Sequence, residues 1–256
     1  MATVFAAACG PRRLALPAGD GESFPDYAAA LQEATAACRP VRTLSAELAI
    51  SGRAGREKLR ARVLAGFSRP GSIRLEGVAP FGPPVFILVA AESRATLLLP
   101  RDNRVLTGVA PSDVLHALVG LDLSPQDLLD ILAGCAVPDP QPSAGHSFAG
   151  GWARVDLSGG AAIFLQRQGD TRWAIRAATR PPLRIEYEGP AGAPPLAVRL
   201  SAAEGSANGA DLRIALSQVE LNASLAPEVF SVKVPADATP ITLAELRQAG
   251  PMGERR

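Results

Sequence analysis

The sequence predicts a mainly β (α+β) protein: one large curled antiparallel sheet, an unclosed half-barrel, covered by a helical lid. Hydrophobic residues make up 47% of the 256 residues, which is enough for a sizeable core. The 24 glycines and 23 prolines favour many short strands joined by turns. Apolar and polar residues alternate along two long stretches of chain, and two helical segments separate these stretches. We therefore expect a single half-barrel domain over residues 24–235, with its lid at about 111–134.

The composition excludes several classes of function. Lys+Arg 26 against Asp+Glu 25 leaves a formal net charge of +1, whereas nucleic-acid binding needs a basic surface. The 2 His and 3 Cys offer little material for metal binding or histidine-based catalysis. We expect a protein that is not an enzyme, with no cofactor, no metal and no nucleic-acid partner.

The first 23 residues form a lipobox-like N-terminus and a tether. An alanine-rich run ends in Cys9 and Gly10 and resembles the lipobox of bacterial lipoproteins, in which the cysteine carries the lipid. The apolar stretch before Cys9 is shorter than a signal peptide, one explanation being that the sequence begins inside it. The alternative is an ordinary alanine-rich tail. With the lipobox, we expect a lipid-anchored, periplasm-facing protein.

The next segment begins with a helix and continues as a meander of strands. Apolar residues recur at helical spacing over 25–38, and Pro40 ends the helix. The period then changes to two, which predicts antiparallel strands with short turns. These strands fall at 44–51, 59–67, 73–76, 85–91, 95–99 and 105–106.

Two helices interrupt the meander and supply the lid. The first covers 111–119, and the second covers 124–134 with Ser124 as N-cap, Pro125 in the first turn and Gly134 at the end. After a proline-rich loop at 137–146, the strands resume. They fall at 152–157, 161–168, 173–178, 183–188, 196–203 and 212–221, followed by a short extended piece at 228–235 and a weakly helical tail at 236–256.

A sheet of eleven or twelve strands tends to curl, and its inner face must be covered. Because many inward candidates are small, we expect an apolar cavity that suits acyl chains. The alternative is that the same residues close into a solid core. The predicted lipid-binding residues are Leu48, Ile50, Val63, Phe67, Ile73, Leu75, Phe86, Leu88, Leu97, Leu99, Leu115, Leu118, Leu128, Leu132, Ile163, Leu165, Ile185 and Val198.

The remaining polar and sulfur-bearing residues give no catalytic pattern. Cys38 and Cys135 either pair as a disulfide or stay separate buried thiols, and the sequence leaves both open. His116 is expected as a lid residue and His146 as a solvated loop residue. Asp122, Asp127 and Asp130, beside the second lid helix, are expected to interact with its dipole and with solvent.

Two segments carry a family resemblance. Leu75-Glu-Gly-Val-Ala-Pro-Phe-Gly82, followed by an apolar strand, resembles a strand and loop of the LolB-type outer-membrane lipoprotein receptors, and the lid segments at 112–120 and 123–134 are similar to theirs. The LolA/LolB-like resemblance implies a half-barrel that accepts acyl chains of lipoproteins and delivers them to the outer membrane. It also implies that Phe81 is an exposed residue that inserts into the bilayer or the cargo's acyl region; the alternative is that Phe81 folds over the rim.

The expected function is therefore transfer of lipoprotein or phospholipid acyl chains to the outer membrane. A periplasmic carrier protein is an expected partner, and the chain is expected to be a monomer. The alternative is a sensor or assembly scaffold that uses the same fold to bind a protein.

Overall fold

The computed structural model describes residues 13–55, 57–137, 141–169, 172–202 and 209–249, and there it forms a 15-stranded sheet that does not close into a barrel. This confirms the predicted fold class. The strands are β1 Glu22–Ser23, β2 Thr43–Ala54, β3 Glu57–Ser68, β4 Ser72–Val78, β5 Ile87–Ala91, β6 Arg94–Leu99, β7 Arg104–Val109, β8 Pro142–Phe148, β9 Trp152–Leu157, β10 Ala162–Gln168, β11 Arg172–Arg180, β12 Leu183–Glu188, β13 Ala197–Ala202, β14 Asp211–Leu221 and β15 Thr239–Pro240.

Two meanders lie side by side in this sheet. Their order is β1-β8-β9-β10-β11-β12-β13-β14-β2-β3-β4-β5-β6-β7-β15, so the first long strand of the chain pairs with the last one. Neighbouring strands are antiparallel except for β15, which pairs with β7 in parallel. The β14–β2 pairing places Leu216 opposite Leu48 and Ile214 opposite Ile50, which makes one apolar face continuous across both meanders.

Helices cover that apolar face, which we call the inner face. They are α1 Tyr27–Thr35, α2 Pro111–Val119, α3 Pro125–Ala133 and α4 Leu243–Ala249. Helix α1 packs against β8 to β11, α3 packs against β2, β3 and β4, and α2 packs against β6 and α4. We call α1, α2 and α3 the cover. No helix in the described part of the chain is long and apolar enough to span a membrane.

The two terminal segments run along the opposite, outer face. The backbone N–H of Leu14 donates to Glu186 Oε2 at 3.1 Å, so the described part of the predicted tether is docked on the sheet. At the other end, a 3-10 turn at Pro227–Phe230 lies against β4 and β5, where Arg74 donates to the carbonyls of Val229 and Ser231.

Two local predictions were wrong. The proline-rich loop predicted at 137–146 contains most of β8, because the backbone of Pro142–Phe148 pairs with β9 despite its turn-forming composition. Gly145 is required there because a Cβ would lie 2.3 Å from the Cβ of Tyr27 in α1. The extended piece predicted at 228–235 instead begins as the 3-10 turn.

Candidate functional site

All eighteen residues predicted to bind lipid belong to one apolar cluster between the sheet and its cover. The strand members share the inner face: Leu48 lies opposite Val63, and Ile163 lies opposite Ala178, which lies opposite Ile185. Fourteen of the eighteen are at most 5% exposed, and Ile50, Leu75, Leu99 and Leu128 are half-buried against the same cluster. The alternation therefore identified the correct face of each strand.

The cover fills the space that the sequence predicted as a hollow. Leu115 and Leu118 of α2 and Leu129 and Leu132 of α3 are buried against the inner face. The leucines of the cover therefore pack directly on the inner face.

A disulfide ties two parts of the cover together. Cys38, just after α1, is bonded to Cys135, just after α3, with 5.5 Å between the two Cα atoms and a sequence separation of 97. Both cysteines are buried. A cavity of about 40 Å³ lies beside Cys38, and its wall includes Tyr187, where burial raises the pKa of the phenol well above its ordinary value. The Cys38–Cys135 disulfide therefore links the C-terminal ends of α1 and α3.

Two ion pairs fasten α3 to the sheet. Arg69, just after β3, pairs with Asp130, which is 2% exposed and also accepts a hydrogen bond from Gln126 at 2.8 Å. Arg180, at the end of β11, pairs with Asp127 one turn earlier in the helix. The expectation of solvent-facing carboxylates was wrong for Asp130 and Asp127, because Arg69 and Arg180 pair with them. Asp127 does lie in the first turn of α3 as expected, and the side chain of Asp122 is 84% exposed.

Asp127 also caps its helix. Ser124 Oγ accepts a hydrogen bond from the backbone N–H of Asp127, and Asp127 Oδ2 accepts one from the backbone N–H of Ser124, which is a capping box. Burial by itself raises the pKa of Asp127, but the hydrogen bonds from Arg180 and Ser124 outweigh it and hold that pKa below its usual value. The hydrogen bonds at the start of α3 therefore favour the ionised form of Asp127. The predicted N-cap and the Gly134 C-cap are both confirmed.

Phe81 lies on the loop between β4 and β5 and is 89% exposed. Its loop is held by Arg101, which donates to the Phe81 carbonyl at 3.0 Å and to the Pro83 carbonyl at 3.3 Å. The ring does not fold back over the rim. Cys9, the predicted lipid anchor, lies outside the described residues.

The histidines have carboxylate neighbours. His116 Nδ1 lies 2.7 Å from Asp122 Oδ1, and His146, predicted in a loop, lies in β8 with its Nε2 3.0 Å from Asp156 Oδ2. Within the described ranges, no cluster of three or more His, Cys, Asp or Glu side chains could hold a metal ion.

Solved structures share this fold. A LolA superfamily protein, NE2245, from Nitrosomonas europaea aligns with a TM-score of 0.54 at 11% identity, covering 80% of this chain and 97% of that chain. A DUF1329 family protein from Desulfovibrio piger aligns with a TM-score of 0.50 at 14% identity, covering 80% of this chain and 96% of the other. No protein-family model matches the sequence, and no curated protein matches it. The chain therefore has a LolA-like fold.

Arg69 and Arg180 were missed in the sequence. Arg69 lies just after β3 and is followed by a proline, and its partner Asp130 is 61 residues away. Arg180 is the last residue of β11 and is also followed by a proline, and its partner Asp127 is 53 residues away. The one available signal was the three-residue spacing of Asp127 and Asp130, which places both carboxylates on one side of α3.

Proposed function

We propose that this is a non-enzymatic, lipid-anchored periplasmic protein. In this proposal, it binds acyl chains of lipoproteins or phospholipids between the sheet and its cover and transfers them to the outer membrane. The role is that of a LolB-type receptor. One observation carries it: the broad apolar face of an unclosed sheet is covered by three helices of nine residues each, not by a second sheet.

The hydrophobic effect allows this exchange. Each methylene moved from water to the inner face contributes about 0.8 kcal/mol, so an acyl chain can replace the contacts that the cover's leucines make there. The cover's connection to the sheet includes the ion pairs of Arg69 and Arg180, and the disulfide holds the ends of α1 and α3 together while it moves. Binding then follows from a difference in affinity between the open and closed forms.

The experiment is native mass spectrometry of gently purified protein, combined with displacement of a fluorescent acyl probe. The proposal expects co-purified lipid and competition between the probe and a fatty acid. Protein that carries no lipid and takes up no probe would contradict it. An ester-hydrolysis assay on the parent and on a variant that lacks His116 checks the non-enzymatic part of the proposal.

A second candidate is a sensor or assembly scaffold. The filled inner face favours it, because a closed core needs no cargo and leaves the outer surface to engage a protein. The same mass spectrometry separates the two, since a scaffold copurifies with a protein partner and without lipid.

A further inference from the structure

Two exposed apolar side chains are neighbours on the outer face, and a third lies on the loop that follows the second of them. In the β3–β4 pairing, Val78 lies opposite Arg62 and Leu64 lies opposite Glu76, so Leu64 and Val78 are diagonal neighbours on the same face. They are 48% and 42% exposed, and Phe81 follows three residues after Val78. We call Leu64, Val78 and Phe81 the outer apolar patch.

Basic residues continue this patch along β3. Lys58 and Arg60 share the outer face with Leu64 because they lie at alternate positions of the same strand, and both are exposed. Neither lies within salt-bridge distance of a carboxylate in the described part of the chain, whereas Arg62 pairs with Glu47 at 2.7 Å. The surface therefore joins apolar side chains to two uncompensated positive charges.

The N-terminal segment reaches the end of the central strands at which β3 begins. Arg13 lies 3.6 Å from Asp211, at the start of β14, and Asp211 lies opposite Arg53 at the end of β2. The β2–β3 turn joins this point to the start of β3. Because four residues span at most about 14 Å, the proposed lipid anchor on Cys9 would lie within that distance of Arg13.

We propose that the outer apolar patch, with Lys58 and Arg60, is a contact surface for an anionic phospholipid bilayer. Apolar side chains beside Lys and Arg suit the headgroup region, where the ammonium and guanidinium groups meet phosphates. The orientation of the protein on the bilayer rests on the proposed lipid anchor, but the assignment of the contact surface and its chemistry does not. The proposed contact surface extends from the Phe81 loop to the outer face of β3 and β4.

The test uses the full chain with Cys9→Ser, so that no acyl anchor holds it, in sedimentation with vesicles. Vesicles of phosphatidylethanolamine with phosphatidylglycerol are compared with vesicles of phosphatidylcholine alone. We expect binding to the anionic vesicles that weakens with added salt, and a loss of about tenfold or more in K58E/R60E. The variant L64S/V78S should lose binding to a similar extent.

The matched controls are Arg94→Glu and Leu196→Ser. Arg94 is exposed at the start of β6, at the other end of the strands from Lys58 and Arg60, and Leu196 is exposed just before β13, which is separated from β3 by β14 and β2. Both should bind like the parent. The proposal would be overturned if all variants bound the vesicles equally, or if the controls lost as much vesicle binding as the patch variants. It would also be overturned if the parent were a dimer that L64S/V78S converts to a monomer. Acyl-probe uptake is measured on the same variants, and its retention while vesicle binding is lost separates this surface from the inner face.

Discussion

Arg69, just after β3, donates a hydrogen bond to the buried carboxylate of Asp130 in α3, and the pair joins the sheet to its cover across 61 residues of chain. Removing one partner of a buried pair leaves the other charge uncompensated. We therefore expect Asp130→Ala to lower the free energy of unfolding by about 3 kcal/mol. Urea titration followed by circular dichroism measures it.

The surface pair of Arg62 and Glu47 is the control, because the Arg62 side chain is 70% exposed. Arg62→Ala should cost less than about 1 kcal/mol. If Asp130→Ala costs no more than Arg62→Ala, the pair does not hold the cover.

The disulfide supplies a second prediction. Cys38 and Cys135 close a loop with a sequence separation of 97. Opening a loop of that size in the unfolded chain lowers the free energy of unfolding by about 4 to 5 kcal/mol in the chain-entropy model. Replacing both cysteines with serine should show this loss in urea titration. A reductant should destabilise the parent to the same level and leave the double variant unchanged; a reductant-sensitive double variant would contradict the assignment.

The sequence predicted the faces of the strands well, and physics explains why. A strand with one buried face must alternate, so the phase of Leu48 and Ile50 or of Ile163 and Leu165 can be read locally. The capping box at Ser124 is equally local, since its partner is three residues away. Such signals need no knowledge of the rest of the chain.

What was missed depends on contacts between distant segments. The pairing of β14 with β2, which merges the two meanders, leaves no mark in either strand's alternation. Part of the loop-like composition of β8 is Gly145, which is needed where Tyr27 approaches. The filled inner face depends on how closely the leucines of α2 and α3 fit the sheet, and alternation alone does not determine that.

The start of α3 should respond to acid. The folded-state pKa of Asp127 is lowered, so the unfolded chain binds more protons as pH falls. Its contribution is present above the unfolded pKa of about 3.9 and is lost as pH falls through the folded value. The difference in free energy of unfolding between the parent and Asp127→Asn should therefore shrink below pH about 4.

Glu188→Gln is the comparison. The hydrogen bond from Arg213 lowers the pKa of Glu188, but its side chain is 51% exposed. Solvent screening makes its effect smaller. Unfolding measured at a series of pH values tests both variants, and a difference for Asp127→Asn that does not change with pH would count against an ionised cap.

The cover can be tested as the binding element itself. Leu128 in α3 is half-buried against the inner-face cluster, so Leu128→Asp places a charge where an acyl chain would lie. We expect it to abolish uptake of the acyl probe while the strand signal in circular dichroism is kept, because the sheet's own pairing does not involve α3. Leu132→Asp should do the same at a larger cost in stability, since Leu132 is 1% exposed. The control is Ser112→Asp. Ser112 is half-exposed in the first turn of α2, so this variant carries the same charge away from the cluster and should take up the acyl probe normally. Retained uptake in Leu128→Asp would mean that the acyl chain does not lie under α3.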